Sequence, residues 1–134
     1  MRSTIYTMLA SSLLAEKLRG RRTHRYPGGQ VVLRQADMLL DVLTLASGVV
    51  KVYDIDNQGN EKVLQLMGAG AILPLDFFSG KHASIGWYYG ALTDCEVYTM
   101  PVDELLDHMH SDSRLTFELM RWVADENYQL LARL

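Results

Sequence analysis

The stretch VLTLASGVVKVYDIDNQGNEKVLQLMGAGAI, residues 42–72, decides the fold class. Three apolar or β-branched runs, VLTLASG (42–48), VVKVYDI (49–55) and KVLQLM (62–67), are short and end at turn residues, which predicts strands. DNQGN at 56–60 predicts a hairpin between the last two, because Asn and Gly accept the positive φ of a tight reversal. Gly48, Gly68 and Gly70 fall at strand corners, where a sharply turned sheet needs backbone freedom. Short strands at close spacing with Gly-rich corners predict an antiparallel sandwich or barrel.

Working outward, VVLR at 31–34 predicts a further strand, and YYGAL and CEVYTM, on either side of Thr93 and Asp94, predict one more hairpin. Upstream, Ile5, Leu9, Leu13 and Leu18 recur at helical spacing and Gly20 is placed to end that helix, giving an N-terminal helix over residues 1–20. RGRRTHR at 19–25 reads as a solvated linker between helix and sheet, with an anionic contact surface as the alternative. The β-roll is expected over 26–100. After Met100 the strand signals stop: PVDELLDHM begins with a proline suited to the first turn of a helix. Ser111, Asp112 and Ser113 then offer capping oxygens for a longer helix free of proline and glycine from Arg114 to Leu134. The expected order is helix, about eight strands, helix, long helix: a single mainly β domain with flanking helices.

At 134 residues with 49% hydrophobic side chains, the chain can bury a real core. Its formal net charge of −3 provides no global field for nucleic acid, which argues against this piece being a DNA reader. Cys95 is the only cysteine, so an internal disulfide, a cysteine-built zinc knuckle and an iron–sulfur cluster held by one chain are excluded, and a cytoplasmic location is expected. Cys95, in a strand beside a turn, reads as a small buried hydrophobe. The apolar N-terminus is broken by Ser11, Ser12 and Glu16-Lys17, too early for a membrane span or a signal peptide. His24, His82, His108 and His110 are scattered, with no His-x-His on a strand, so no metal is expected. No nucleophile elbow or triad is present either, and no catalytic residue is assigned.

From about Tyr26 to the C-terminus the sequence resembles the effector-binding domain of the Crp/Fnr family of bacterial transcription regulators, the cyclic-nucleotide-binding jelly roll. The resemblance rests on YPGGQVVLRQAD (26–37), VLTLASGVVKVY (42–53), LMGAGAI (66–72) and ALTDCEVYTMPVDEL (91–105). It implies an antiparallel double-stranded β-helix, an effector pocket and a long helix used for homodimerisation. It also implies a helix-turn-helix domain beyond Leu134, through which DNA would be reached. Two departures stand out: Ala36 replaces the glycine of a Gly-Asp pair, and Ala71 the aspartate after Gly-x-Gly. More telling, alignment puts Leu75 at or near the family's ribose-binding glutamate and Ile85 at or near its phosphate-binding arginine.

Burying a cyclic phosphate without a cation or a cradle of donors costs several kcal/mol, on the order of the binding energy of a micromolar ligand. Lys81 and His82 are the only cationic candidates in the segment, and their turn belongs in solvent. Cyclic AMP is therefore not expected, and no cofactor is assigned. ILPLDFFSGKHASIGWYYGAL (72–92) nevertheless concentrates aromatic rings where the ligand would lie. Its pocket candidates are Leu73, Leu75, Asp76, Phe77, Phe78, Ile85, Trp87, Tyr88 and Tyr89. Either they fill the pocket, with Trp87 turned inward, or they line a small apolar slot for an unidentified effector with Asp76, Tyr88 or Tyr89 as polar handles.

Along the last helix, Phe117, Met120, Ala124, Asn127, Leu131 and Leu134 are spaced 3, 4, 3, 4, 3, a heptad seam. Leu115, Leu119, Trp122, Val123 and Leu130 widen the apolar stripe beyond what one buried face needs, implying two partners: the roll and a second copy of the helix. The function expected is that of a regulator's sensor and dimerisation domain with a degenerate pocket. The alternative is a freestanding module that binds a small molecule or a protein without DNA.

Overall fold

The computed structural model describes residues 13–132; Ile5, Leu9 and Leu134 of the expected helices lie outside them. Residues 13–18 are helical (α1), with Leu14 and Leu18 buried and Gly20 in a turn at positive φ. Eight strands follow in two four-stranded antiparallel sheets. The first has the order β1 (Thr23–Tyr26), β8 (Cys95–Pro101), β3 (Asp41–Ser47), β6 (Ile72–Leu73). The second has the order β2 (Val31–Leu33), β7 (Tyr88–Ala91), β4 (Val50–Ile55), β5 (Glu61–Met67). Helices α2 (Val102–Ser111) and α3 (Ser113–Leu131) complete the chain.

The unbroken apolar run of β3 follows from its position. Val42, Leu43, Thr44 and Leu45 are all buried, so both faces of the strand are covered. Alternate residues face the second sheet across the roll and α2 on the other side, and such doubly covered strands lose their polar alternation. DNQGN makes the predicted hairpin: β4 and β5 pair from Val50↔Met67 to Ile55↔Glu61, and the Asp56 carboxylate accepts from the Gln58 and Asn60 amides.

The hairpin expected about Thr93 and Asp94 does not form. β7 pairs with β2 and β4, β8 with β1 and β3, and residues 92–94 carry the chain from one sheet to the other. Gly48 does the same between β3 and β4, and the two corners pack back to back. Val49 O accepts from the Leu92 amide at 2.8 Å, and the Val49 amide donates to Thr93 Oγ1 at 3.0 Å. Gly48 has φ 96°, and a Cβ there would stand 2.3 Å from Asp94 O and 2.7 Å from Cys95 Sγ. Cys95 itself is buried, which pushes its thiol pKa up. Gly70 also needs its positive φ, whereas Gly68 has open space and ordinary φ, so only two of the three corner glycines are there for backbone reasons.

The linker expected over 19–25 is partly a strand. Thr23, His24 and Arg25 belong to β1, so the roll begins before Tyr26 and His24 lies within it. Its basic run is also partly neutralised. Arg21 donates through both terminal nitrogens to Glu104 of α2, holding that carboxyl below its ordinary pKa. Arg25 reaches Asp94 at 2.7 Å, and the Asp94 carboxyl is held low first by the Gly28 amide and then by Arg25. Pro101 ends β8 and serves as the N-cap of α2, one residue ahead of the first turn where it was expected. Asp112 caps α3, accepting from the Arg114 and Leu115 amides.

Two substitutions test this backbone. Gly48→Ala forces a side chain into Asp94 and Cys95 in a conformation that already disfavours one; chemical denaturation is expected to show a loss of about 3 kcal/mol or more, or no folding at all. A loss below about 1 kcal/mol would contradict the corner packing. Ala36 sits at φ 71°, a left-handed conformation for a residue with a Cβ. Ala36→Gly removes a strain of about 1–2 kcal/mol against roughly 0.5–1 kcal/mol of added unfolded-chain entropy, so a net gain of up to about 1 kcal/mol is expected.

Candidate effector site

After β6 the chain makes one 3-10 turn, Phe77–Ser79, and returns along the rim of the roll. The return is zipped to residues 36–39: His82 N donates to Leu39 O, Leu39 N to Ala83 O, Ile85 N to Asp37 O, and Ala36 N to Ile85 O, all within 2.7–2.9 Å. The segment is therefore fixed by backbone pairing, and its side chains divide by direction.

Leu73, Phe77, Ile85 and Tyr89 point into the roll and are buried, all but Ile85 completely. The Tyr89 hydroxyl accepts from the Leu75 amide at 2.9 Å, and burial pushes the phenol's pKa far up, so it stays protonated. Leu75 packs half-buried against the core. Asp76 is also half-buried, and its Oδ1 is buried without a hydrogen-bond partner. Phe78 is 55% exposed. Tyr88 lies half-buried on the outer side of the second sheet, stacked on Tyr53 at 5.3 Å with Lys51 Nζ over the Tyr53 ring.

Trp87 is 40% exposed, which corrects the expectation that it turns inward. It precedes the first paired residue of β7, so the alternation that buries Tyr89 and Ala91 does not extend back to it. The ring that enters the roll is Tyr89, two residues later.

A cavity of about 290 Å³ remains beside these side chains, lined by His24, Tyr26, Leu33, Leu43, Ile85 and Thr99 among others. Lys81 lies at the surface, 3.8 Å from Asp103, and His82 is exposed with Nδ1 2.8 Å from Met38 Sδ. The field of the Asp76 carboxylate raises the Tyr89 pKa further. Among the described residues no group of three or more His, Cys, Asp or Glu side chains is placed to hold a metal ion, and no helix is long and apolar enough to cross a membrane.

Helix α3 has two distinct faces. Leu115, Leu119, Trp122 and Glu126 are buried, spaced 4, 3, 4, and the Glu126 carboxylate accepts from buried Gln65 of β5. Turned away from them, Phe117, Met120, Ala124, Asn127 and Leu131 are exposed. Leu130, counted into the stripe from sequence, is also partly in solvent. Between α3 and the 3-10 turn runs a groove of about 510 Å³, walled by Phe77 and Phe78 on one side and by Met120, Val123, Ala124 and Asn127 on the other. Sequence reasoning missed the Gln65–Glu126 pair, because a carboxylate carries no apolar signal. Its position one step along the Leu115, Leu119, Trp122 row was the available clue.

Comparison with known proteins places this geometry. Residues 23–112 match the family described as cyclic nucleotide-binding domain. No curated protein matches the chain. Solved structures that share the fold include a transcriptional regulator of Thermotoga maritima, 19% identical over 90% of this chain and 92% of that one, TM-score 0.75. Another is CLP of Xanthomonas campestris, described as a c-di-GMP responsive global regulator, 18% identical, TM-score 0.78. The match covers 91% of this chain but 59% of the Xanthomonas one. The sensor domain of the regulator DNR from Pseudomonas aeruginosa is 18% identical over 96% of this chain and 87% of that one, TM-score 0.70. With the family match spanning both sheets and α2, the chain belongs to the cyclic nucleotide-binding domain family.

Proposed function

We propose that the chain is the sensor and dimerisation domain of a Crp/Fnr-type transcription regulator whose roll is closed to cyclic nucleotides by its own side chains. The observation that carries the dimer is the second apolar face of α3. The helix already buries one row on the roll, and the exposed row from Phe117 to Leu131 keeps heptad spacing with a polar Asn127 suited to fixing register. The closed roll is supported by Ile85 and Leu75 at the positions aligned with the arginine and glutamate, by the buried rings of Phe77 and Tyr89, and by the Asp76 carboxylate nearby. Signalling would then shift the paired α3 helices and reorient DNA-binding domains attached beyond them. None of this requires catalysis.

Two measurements test the proposal. Titration calorimetry with cyclic AMP, cyclic GMP and cyclic di-GMP at millimolar concentration is expected to give no saturable heat. A low-micromolar dissociation constant for any of them would show that the interior opens for an anion. Sedimentation at tens of micromolar is expected to show a dimer for the wild type and a monomer for Leu131→Glu. Burying that carboxylate unpaired on both sides would cost about 2–4 kcal/mol per dimer. A monomeric wild type would remove the dimer reading.

A further inference from the structure

The basic run at 19–25 is only partly neutralised. Arg21 is held by Glu104 and Arg25 by Asp94, but Arg19, exposed just beyond α1, has no carboxylate partner among the described residues. It stands instead at a cavity of about 510 Å³ between α1 and the first sheet. Thr44 and Tyr98 line the sheet side of this cavity. They are directly opposite each other in the β3–β8 ladder and alternate with Leu43 and Val97, so they belong to the outer face of the sheet and the cavity lies outside the roll. Thr44 is only 6% exposed, yet its hydroxyl makes no hydrogen bond among the described residues. Leu18 supplies an apolar surface, and the small side chains of Ala46 and Ala69 leave the space open.

The donor set selects the ligand. Among the described lining residues Arg19 is the one charged side chain, and no carboxylate is present to oppose an anion. A guanidinium with two hydroxyls beside it matches a carboxylate, which accepts through both oxygens. A phosphate dianion would keep a net charge against a single arginine and would face an apolar wall without donors. The volume is that of a small-molecule site. We propose that this cavity is a second ligand site, outside the roll, for a small organic monocarboxylate, with the acid group on Arg19, Thr44 and Tyr98 and the apolar body on Leu18 and the alanines. The site depends neither on the closure of the roll nor on the dimer. A bound acid would tie α1 to β3 and β8, and β8 runs directly into α2.

The full chain serves for the test, by titration calorimetry with octanoate, 1-octanol and inorganic phosphate on wild type, Arg19→Gln, Thr44→Val and Ala46→Phe. Octanoate is expected to saturate the wild type with a dissociation constant of about 1 mM or below, and 1-octanol to bind at least about tenfold more weakly. Arg19→Gln should raise the octanoate constant about tenfold or more and Thr44→Val about threefold. Ala46→Phe, which fills the cavity from an exposed position, should raise it about tenfold or more without touching the acid group. Unfolding midpoints of Arg19→Gln and Ala46→Phe should match the wild type, since both residues are exposed. Absence of saturable binding of octanoate overturns the inference. So does equal binding to wild type, Arg19→Gln and Ala46→Phe, which would mean that the acid enters elsewhere, such as the cavity beside Ile85. Octanol binding as tightly as octanoate would remove the role of the charge, and saturation by phosphate in place of octanoate would overturn the carboxylate assignment.

Discussion

The back-to-back packing of two corners, Gly48-Val49 against Leu92 to Cys95, is the constraint on which the rest of the molecule depends. Each corner carries the chain from one sheet to the other, so their separation sets how the two inner faces meet. The contact is as close as backbone allows, and a methyl group at residue 48 has no room. Asp94 extends the junction to Gly28 and Arg25, tying the start of the roll to the same point. From here β3 and β8 run out together beneath α2, while β4 and β7 run out together on the opposite side.

Much of this was legible in the sequence because it is local. The β4–β5 hairpin follows from DNQGN, and the capped start of α3 from Asp112. What was not legible depends on which sheet a strand joins. Thr93 and Asp94 look like a hairpin turn because their polarity is that of any corner, and nothing local distinguishes a reversal within one sheet from a crossing between two. The arginine-rich run hid β1 for a related reason: as an edge strand paired only with β8, it needs few apolar residues. At Trp87 the period-2 pattern was carried one residue too far, past the point where pairing begins. The candidate pocket residues were found as a segment, but their division into inward and outward sets comes from the backbone pairing of 82–85 with 36–39, which leaves no mark on composition.

If Phe77, Ile85 and Tyr89 close the interior as proposed, what ligand binding can do for this domain changes. A roll with a hollow centre gains stability from its effector in proportion to the effector's concentration. Here the Tyr89 hydroxyl and the Leu75 amide satisfy each other, and the Phe77 and Tyr89 rings are buried in the core. On the reading proposed above the roll would be closed without an effector, and a signal would arrive at outer surfaces such as those of Phe78, Trp87 or the exposed row of α3.

The buried hydrogen bond between Gln65 and Glu126 bears on how such a signal would travel. Apolar rows tolerate gradual sliding, because one methyl contact replaces another at little cost. A buried carboxylate held by an amide resists this, since losing that hydrogen bond away from water costs free energy. Helix α3 is in this sense notched against β5. A slide of α3 along β5 would have to break this hydrogen bond, which an apolar row alone would not require.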